Sequence, residues 1–365
     1  MNRIRVTMGR QAASSYDICI GTDMLDRMGL IIQKGNCADR YIIISDATVS
    51  ALYGDAFLTM LREMNLTCDL IEFPAGETSK DMGQVLSIVQ QLIALGADRN
   101  SALIALGGGV TGDIVGFIAS IYMRSIPCIQ VPTTLLAQVD SSIGGKTGID
   151  LPEGKNLLGT FSQPKVVLTD LRFLDTLPGR EFNNGLAEIV KYGIVDDPEL
   201  FQLLEDGVED IRKRKAELLS MIVGRSCRIK KEVVEMDEHD HGLRRILNFG
   251  HTIGHAVESA SGYTLSHGNG VSIGMIGAAR ISEKLKYLAF HDRERIESLI
   301  STLGLLDHIP ESVETSAILS RMKMDKKKQG DAIHFVLLKK PGVPFVNGSV
   351  EEELIAETIE ELRSC

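Results

Sequence analysis

Tryptophan is absent, aromatic residues make up 5% of the 365, and the six cysteines stand singly. Cys19, Cys37, Cys68, Cys128, Cys227 and Cys365 form no Cys-x-x-Cys pair, which argues against a thiolate metal site and against a disulfide framework. No apolar run is long enough to cross a bilayer. The opening Met-Asn-Arg-Ile-Arg-Val reads as a first strand instead of a secretion signal. A soluble, cytoplasmic protein is the expectation. Positive charge is short as well: 39 Lys and Arg face 49 Asp and Glu, for a net charge of −10. That balance argues against nucleic acid or an anionic membrane as a partner. It leaves an anionic small molecule open, because a local cluster of lysines and arginines can hold one. Low-complexity tracts and internal repeats are absent.

What is present is glycine, 35 residues of it, and 44% of hydrophobic residues, enough for two domains with a core each. Up to about Asp170, short β-rich runs alternate with helical stretches. Tyr16–Ile20, Tyr41–Ser45, Cys68–Phe73, Ala102–Leu106 and Cys128–Val131 read as strands. Met24–Lys34, Ala51–Met64, Met82–Leu95 and Ile114–Tyr122 read as the helices between them. The alternation predicts an α/β domain over residues 1–170, built on an open, mainly parallel sheet. From Leu171 helical periodicity dominates, over Gly185–Ile194, Glu199–Glu205, Lys213–Glu235, the histidine segment, Gly270–Leu288 and Arg293–Thr302. A small hairpin of His334–Leu338 and Val343–Val346 and a last helix, Val350–Arg363, follow. Residues 171–365 are therefore expected to form a mostly α-helical domain, with a ligand cleft between the two halves.

The chemistry concentrates in Leu-Asn-Phe-Gly-His-Thr-Ile-Gly-His-Ala-Val-Glu, residues 247–258. On a helix His251 and His255 share a face, and His267, past a turn-like Ser-Gly-Tyr, can fold back to the same point. Imidazoles so grouped suit a divalent metal. Within Gly185-Leu-Ala-Glu-Ile-Val-Lys-Tyr-Gly193, Glu188 and Lys191 stand three apart among apolar residues. A surface ion pair fits that spacing, but an inward carboxylate needs a partner such as a metal. Arg244 and Asn248 lead into the histidine segment and are placed to line its cleft. The polar run from Asp237 to His241 reads as a solvated loop, and Lys326–Lys328 as a loop from which one lysine can reach an anion.

In the first half, Ala105–Asp113 sets three glycines between a strand and a helix, where backbone can approach a pyrophosphate at a helix N-terminus. The acidic residue usual roughly 20 positions later is missing. Asp46 closes the strand Tyr41–Ser45 and is placed to accept hydrogen bonds from a ribose diol. Glu77 and Lys80 form a polar loop that can face the same nucleotide. Residues 132–148 crowd hydroxyls and glycines around Asp140 and Lys146, with Lys155 and Asn156 soon after, and read as a ligand-binding surface.

GGGVTGD, PTTLLAQVDSSIGGKTG, GLAEIVKYG, GLRRILNFGHTIGHA and LSHG, in that order, resemble the 3-dehydroquinate synthase family of sugar phosphate cyclases. The resemblance implies a zinc or cobalt ion held by Glu188, His251 and His267. His255, which spacing alone pairs with His251, then becomes a proton-handling or hydrogen-bonding group on the substrate side. The resemblance also implies tightly bound NAD, contacted by Asp46, Glu77, Lys80, Gly108, Gly109, Asp113, Thr133, Thr134 and Lys146, with Lys155 near its nicotinamide side. Substrate contacts are implied for Arg124, Asp140, Lys146, Asn156, Lys191, Lys230, Arg244, Asn248 and Lys326. The implied reaction turns 3-deoxy-D-arabino-heptulosonate 7-phosphate into 3-dehydroquinate and phosphate, a step of the shikimate pathway. It runs through transient NAD-dependent oxidation, phosphate elimination, re-reduction and intramolecular aldol closure, in a cytoplasmic homodimer. One departure is Asp240, where the family commonly carries glutamate, one methylene longer. Alternative readings are another sugar phosphate cyclase, a metal-dependent NAD alcohol or polyol dehydrogenase, and a non-catalytic NAD sensor. A substrate without a carboxylate would leave Arg244 and Lys146 lacking their anion, and a dehydrogenase would accumulate NADH.

Overall fold

Successive side chains of a strand point to opposite faces, so a strand without a polar break must be covered on both sides. Arg40-Tyr-Ile-Ile-Ile-Ser-Asp46 and Ser101-Ala-Leu-Ile-Ala-Leu-Gly107 are such strands. In the computed structural model both lie inside a sheet. The structure describes residues 1–8, 15–238, 242–328 and 333–363, without the side chains of residues 243, 244 and 325–328. The chain divides into two compact units, one of Met1–Pro178 with Lys230–His239, the other of Gly179–Ile229 with Asp240–Cys365.

The first unit follows the order β1 (Asn2–Val6), β2 (Tyr16–Gly21), α1 (Leu25–Gly35), β3 (Arg40–Asp46), a single turn α2 (Ala47–Val49) and α3 (Asp55–Glu63). Next come β4 (Cys68–Phe73), α4 (Met82–Ala94), β5 (Ser101–Gly107), α5 (Gly109–Ile121), β6 (Cys128–Pro132), a hairpin of β7 (Lys146–Leu151) and β8 (Gly154–Phe161), and β9 (Val166–Asp170). Seven strands form one sheet in the order β1-β2-β9-β6-β5-β3-β4, antiparallel only between β1 and β2. Ile42, Ile44, Leu103 and Ala105 face Val85, Ile88 and Leu92 of α4 and Ile114, Val115 and Ile118 of α5. The alternate residues Tyr41, Ile43, Ala102, Ile104 and Leu106 face Met28 and Ile32 of α1 and Phe57, Met60 and Leu61 of α3. Each such aliphatic side chain contributes about 2 kcal/mol on burial, so the two faces of the sheet carry the unit. The chain runs from β3 outward to β4 and returns to pair β5 on the other side of β3. The winding therefore reverses between β3 and β5, and open sheets bind ligands at the carboxyl ends of strands at such a point.

The mainly parallel sheet is the one expected. Three elements were not. Strand β9, Val166–Asp170, is buried but offers an apolar run of only three residues, and the β7–β8 hairpin carries no clear alternation: Gly154–Phe161 is largely exposed, with Leu157 and Leu158 adjacent. Helix α5 starts at Gly109, earlier than Ile114, because apolar spacing cannot mark a first turn made of Gly-Val-Thr-Gly.

The second unit is helical: α6 (Gly179–Val195), α7 (Pro198–Asp206), α8 (Val208–Arg212) and α9 (Ala216–Met236), whose last turns from Lys230 count with the first unit. Then come α10 (His251–Ala260), α11 (His267–Lys284), α12 (Phe290–Thr302), α13 (Thr315–Lys328), a hairpin of β10 (Phe335–Lys340) and β11 (Val343–Asn347), and α14 (Glu352–Arg363). Helix α11 is buried along most of its length and packs on α6, α10, α12 and α14. The histidine segment is not helical from Leu247: Leu243–Asn248 forms a 3-10 turn, Gly250 takes a φ of 82°, and His251 opens α10. Helix α13 was not expected, since Thr-Ser-Ala-Ile-Leu-Ser-Arg-Met-Lys-Met-Asp-Lys-Lys-Lys shows little one-sided periodicity. Among the described residues no helix is long and apolar enough to cross a membrane, and the five described cysteines are free thiols.

Candidate active site

In the first unit the neighbouring strands β4, β3, β5 and β6 end along one edge of the sheet, and each is followed by residues singled out from the sequence. After β3, Asp46 Oδ1 accepts the N–H of Thr48 and of Val49, each at 3.1 Å, and Oδ2 accepts the Thr111 hydroxyl at 3.3 Å. After β5, Gly108 is the N-cap of α5 and offers no side chain to its first N–H groups. A Cβ on Gly108 would come 3.0 Å from Thr134 Cγ2, and one on Gly109 3.0 Å from Ser141 Oγ. After β6, Thr133 is buried and its Oγ1 has no hydrogen-bond partner, while Thr134 Oγ1 accepts the Ala137 N–H at 3.1 Å. After β4, Glu77 pairs with Lys155 at 3.3 Å. Lys80, 5% exposed, donates to Asp113 Oδ2 and Asn156 Oδ1, both at 2.6 Å. Burial pushes the Asp113 carboxyl up to about 6 against the pull of Lys80. Burial also works against the charge on Lys80, but Asp113 outweighs it and holds the ammonium above its ordinary range. An uncapped helix N-terminus at the winding reversal, two glycines where a Cβ would press on Thr134 and Ser141, and an unpartnered buried hydroxyl after β6 fit the pyrophosphate of a dinucleotide.

In the second unit Glu188 is fully buried on α6. Its Oε1 lies 3.6 Å from His251 Nε2 and 3.2 Å from His267 Nε2, and donor atoms of the three residues lie within 4.8 Å of one another. Lys191, 2% exposed, forms a close ion pair with Oε2. Burial alone would raise the Glu188 carboxyl; Lys191 and the two imidazoles outweigh it and hold it well below the usual range. Burial, reinforced by Lys191, keeps His251 well below its ordinary value and so neutral. His251 Nδ1 is 3.2 Å from Phe249 O and donates to it, which leaves the Nε2 lone pair facing Glu188. Burial opposes charge on His267 too, yet Glu188 on one ring nitrogen and Glu258 on the other raise it to about 10. Two imidazoles and a carboxylate, with outer partners on both Nδ1 atoms, form a donor set that fits zinc or a similar divalent ion with a coordination position left open. The helices can bring these groups together because they touch through glycine. A Cβ on Gly274 of α11 would overlap the Gly250 carbonyl, and one on Gly268 would come 2.5 Å from the Asn184 carbonyl of α6.

The remaining residues are spread more widely. His255 is exposed on α10, its ring centroid 5.0 Å from that of His251 and 5.9 Å from that of His267. Asn248 is exposed at the end of the 3-10 turn, and Lys146 is exposed at the start of β7. Lys230 Nζ donates to Asp140 Oδ1 at 2.6 Å. Arg124 is exposed in a turn where Met123, Arg124 and Ser125 have φ of 48°, 68° and 92°. The side chains of Arg244 and Lys326, and the whole of Asp240, lie outside the described residues. Two residues were passed over. Glu258 stands seven after His251, on the same helical stripe, and that spacing was the available signal. Asn184, whose Oδ1 accepts the Gly268 N–H at 2.5 Å, gave no signal in the sequence.

Two solved synthases share this architecture over nearly their whole length. A 2-deoxy-scyllo-inosose synthase complexed with carbaglucose-6-phosphate, NAD+ and Co2+ is 28% identical, with a TM-score of 0.90 over 99% of this chain and 100% of its own. A 2-epi-5-epi-valiolone synthase from Streptomyces hygroscopicus subsp. jinggangensis, with NAD+ and Zn2+ bound, is 30% identical, with a TM-score of 0.88 over 98% of this chain and 99% of its own. Residues 70–184 match the family described as 3-dehydroquinate synthase N-terminal, and residues 185–328 the one described as 3-dehydroquinate synthase C-terminal. A curated 3-dehydroquinate synthase from Thermodesulfovibrio yellowstonii is 42% identical over 362 residues, 99% of this chain and 100% of its own. The chain belongs to the 3-dehydroquinate synthase family.

Proposed function

We propose that this chain converts 3-deoxy-D-arabino-heptulosonate 7-phosphate to 3-dehydroquinate and phosphate, with NAD and one zinc or cobalt ion as resident cofactors. The observation that carries the reading is the convergence of Glu188, His251 and His267 within 4.8 Å, in a chain of this family. The two solved cyclases, each with NAD+ and a divalent metal, support the cofactors. Residues 1–170 are assigned to NAD and residues 171–365 to metal and substrate. Glu188, His251 and His267 are the metal ligands. Asp46, Glu77, Lys80, Gly108, Gly109, Asp113, Thr133, Thr134 and Lys146 contact NAD, with Lys155 near the nicotinamide.

When bound, NAD supplies a reversible hydride acceptor and the metal supplies Lewis acidity toward substrate hydroxyls. The protein does the rest by placement. Lys80, held between Asp113 and Asn156, ties the turn after β4 to α5 and to β8. Arg124, Lys146, Arg244 and Lys326 hold phosphate and carboxylate through charge-assisted hydrogen bonds. Asp140, Asn156, Lys191, Lys230 and Asn248 orient hydroxyls. His255, exposed beside His251, carries hydrogen bonds and protons at the substrate. A cytoplasmic homodimer is part of the same reading, supported by the free thiols for the compartment and by family resemblance for the assembly.

The test is metal-stripped protein given NAD, Zn2+ or Co2+, and the heptulosonate phosphate. Phosphate and 3-dehydroquinate should appear with no free NADH. Glucose 6-phosphate, which lacks the carboxylate, should give no phosphate. Failure to release phosphate with every divalent ion tried would sink the proposal, and turnover of glucose 6-phosphate alone would move it to another cyclase.

A further inference from the structure

Glu258 shares the face of α10 that carries His251 and His255, seven and three residues before it. It is only 6% exposed, and a carboxylate withdrawn from water needs a specific partner. Its Oε1 lies 3.3 Å from His267 Nδ1. Facing it on α11 is Gly270, where a Cβ would come 2.8 Å from Glu258 Cγ and 3.0 Å from Oε1. Helix α11 thus supplies both the imidazole and the space that its carboxylate partner occupies. The other imidazole is served by backbone, through Phe249 O at 3.2 Å.

We propose that Glu258 is a positioning residue: it accepts the Nδ1–H of His267 and so fixes the tautomer and ring plane that turn Nε2 toward Glu188 and His251. The proposal rests on the reading of Glu188, His251 and His267 as metal ligands. A neutral imidazole has one ring proton, so holding it at Nδ1 frees the lone pair at Nε2. A carboxylate acceptor also makes the ligating nitrogen more basic, and loss of such a partner weakens metal binding by about 10- to 100-fold. Donor atoms of His255, Glu258 and His267 also lie within 4.8 Å of one another, so the competing assignment is a second ion with Glu258 as its ligand. His255, which that site needs, is exposed, whereas Glu258 is buried against His267.

The full-length chain, stripped by chelator, is titrated with Co2+ alone and followed by visible absorption and by chelator competition. Wild type should bind one equivalent, and E188A should lose it. E258Q, which keeps an acceptor without charge, should bind about 10-fold more weakly with the Co2+ spectrum unchanged in form; E258L, which keeps neither, about 100-fold more weakly. Melting of the metal-free proteins is measured in parallel. If E258Q and E258L melt earlier but bind Co2+ as wild type does, Glu258 is merely structural and the proposal fails while the ligand reading stands. A second wild-type equivalent that vanishes in E258Q makes Glu258 a ligand and overturns the positioning role. Unimpaired Co2+ binding by E188A removes the ligand reading and the proposal with it.

Discussion

Gly274→Ala puts a single methyl group where α11 touches the start of α10. The new Cβ would overlap the Gly250 carbonyl oxygen and lie 2.7 Å from its carbon and 2.9 Å from Gly254 N. All three are backbone atoms, so no side-chain rotation relieves the contact. Restoring about 3.4 Å to the carbon alone, an ordinary contact distance, requires a shift of about 0.7 Å (3.4 − 2.7). Gly250 directly precedes His251, so the shift passes to a proposed ligand. Metal–ligand bonds tolerate roughly ±0.2 Å, which makes the displacement large on the scale that matters. Overpacking of this kind costs about 1–3 kcal/mol. Helix propensity opposes it, favouring alanine by about 0.8–1 kcal/mol, so a net loss understates the clash. The expected result is a lower urea midpoint and Co2+ affinity reduced by at least about tenfold. Gly35→Ala is the control. It sits at the end of α1 with nothing within 4 Å of its Cβ, and should stabilise by about 0.5 kcal/mol with Co2+ binding unchanged. A Gly274→Ala protein with the wild-type midpoint and wild-type Co2+ affinity would refute the idea that glycine contacts set the ligand distances.

Two further outcomes follow from buried charge. The Asp113 carboxyl sits at about 6 in the folded chain against 3.8 in its reference state. The folded state therefore binds this proton more tightly, and the stabilisation is complete below about pH 4 and lost as pH rises through 6. That difference bounds the effect at about 3 kcal/mol. In the absence of NAD, the melting temperature of D113N relative to wild type should rise between pH 4.5 and 7; a pH-independent difference contradicts the assignment. Lys191, 2% exposed and paired with Glu188, is the second case. K191M should destabilise the metal-free protein by about 3–5 kcal/mol, because it strands a buried carboxylate. Zn2+ should then raise the melting temperature more in K191M than in wild type, since the cation replaces the missing charge; equal rises would show that Lys191 does not neutralise Glu188.

What could be read from the sequence, and what could not, divides along physical lines. The sheet was legible because Tyr41–Ser45 and Ala102–Leu106 have no polar break and each is followed by turn chemistry. The strand Gly154–Phe161 was not, because an exposed strand of a hairpin needs no hydrophobic alternation to form. At the site, spacing paired His251 with His255, and spacing did put their rings 5.0 Å apart. Spacing is nevertheless a property of one helix, and the donor set draws on three. Whether His251 Nε2 meets Glu188 depends on how closely α6, α10 and α11 approach, and that is fixed by Gly268 against Asn184 and Gly274 against Gly250. Glycines carry no periodic signal, so the part of the sequence that sets the metal geometry is the part that pattern reading passes over. Glu258 went unassigned for a related reason: its partner, His267, is nine residues on and across a turn, and its burial depends on the absent side chain of Gly270. The chemical groups of this site are written in its histidines and glutamates, and the distances between them in its glycines.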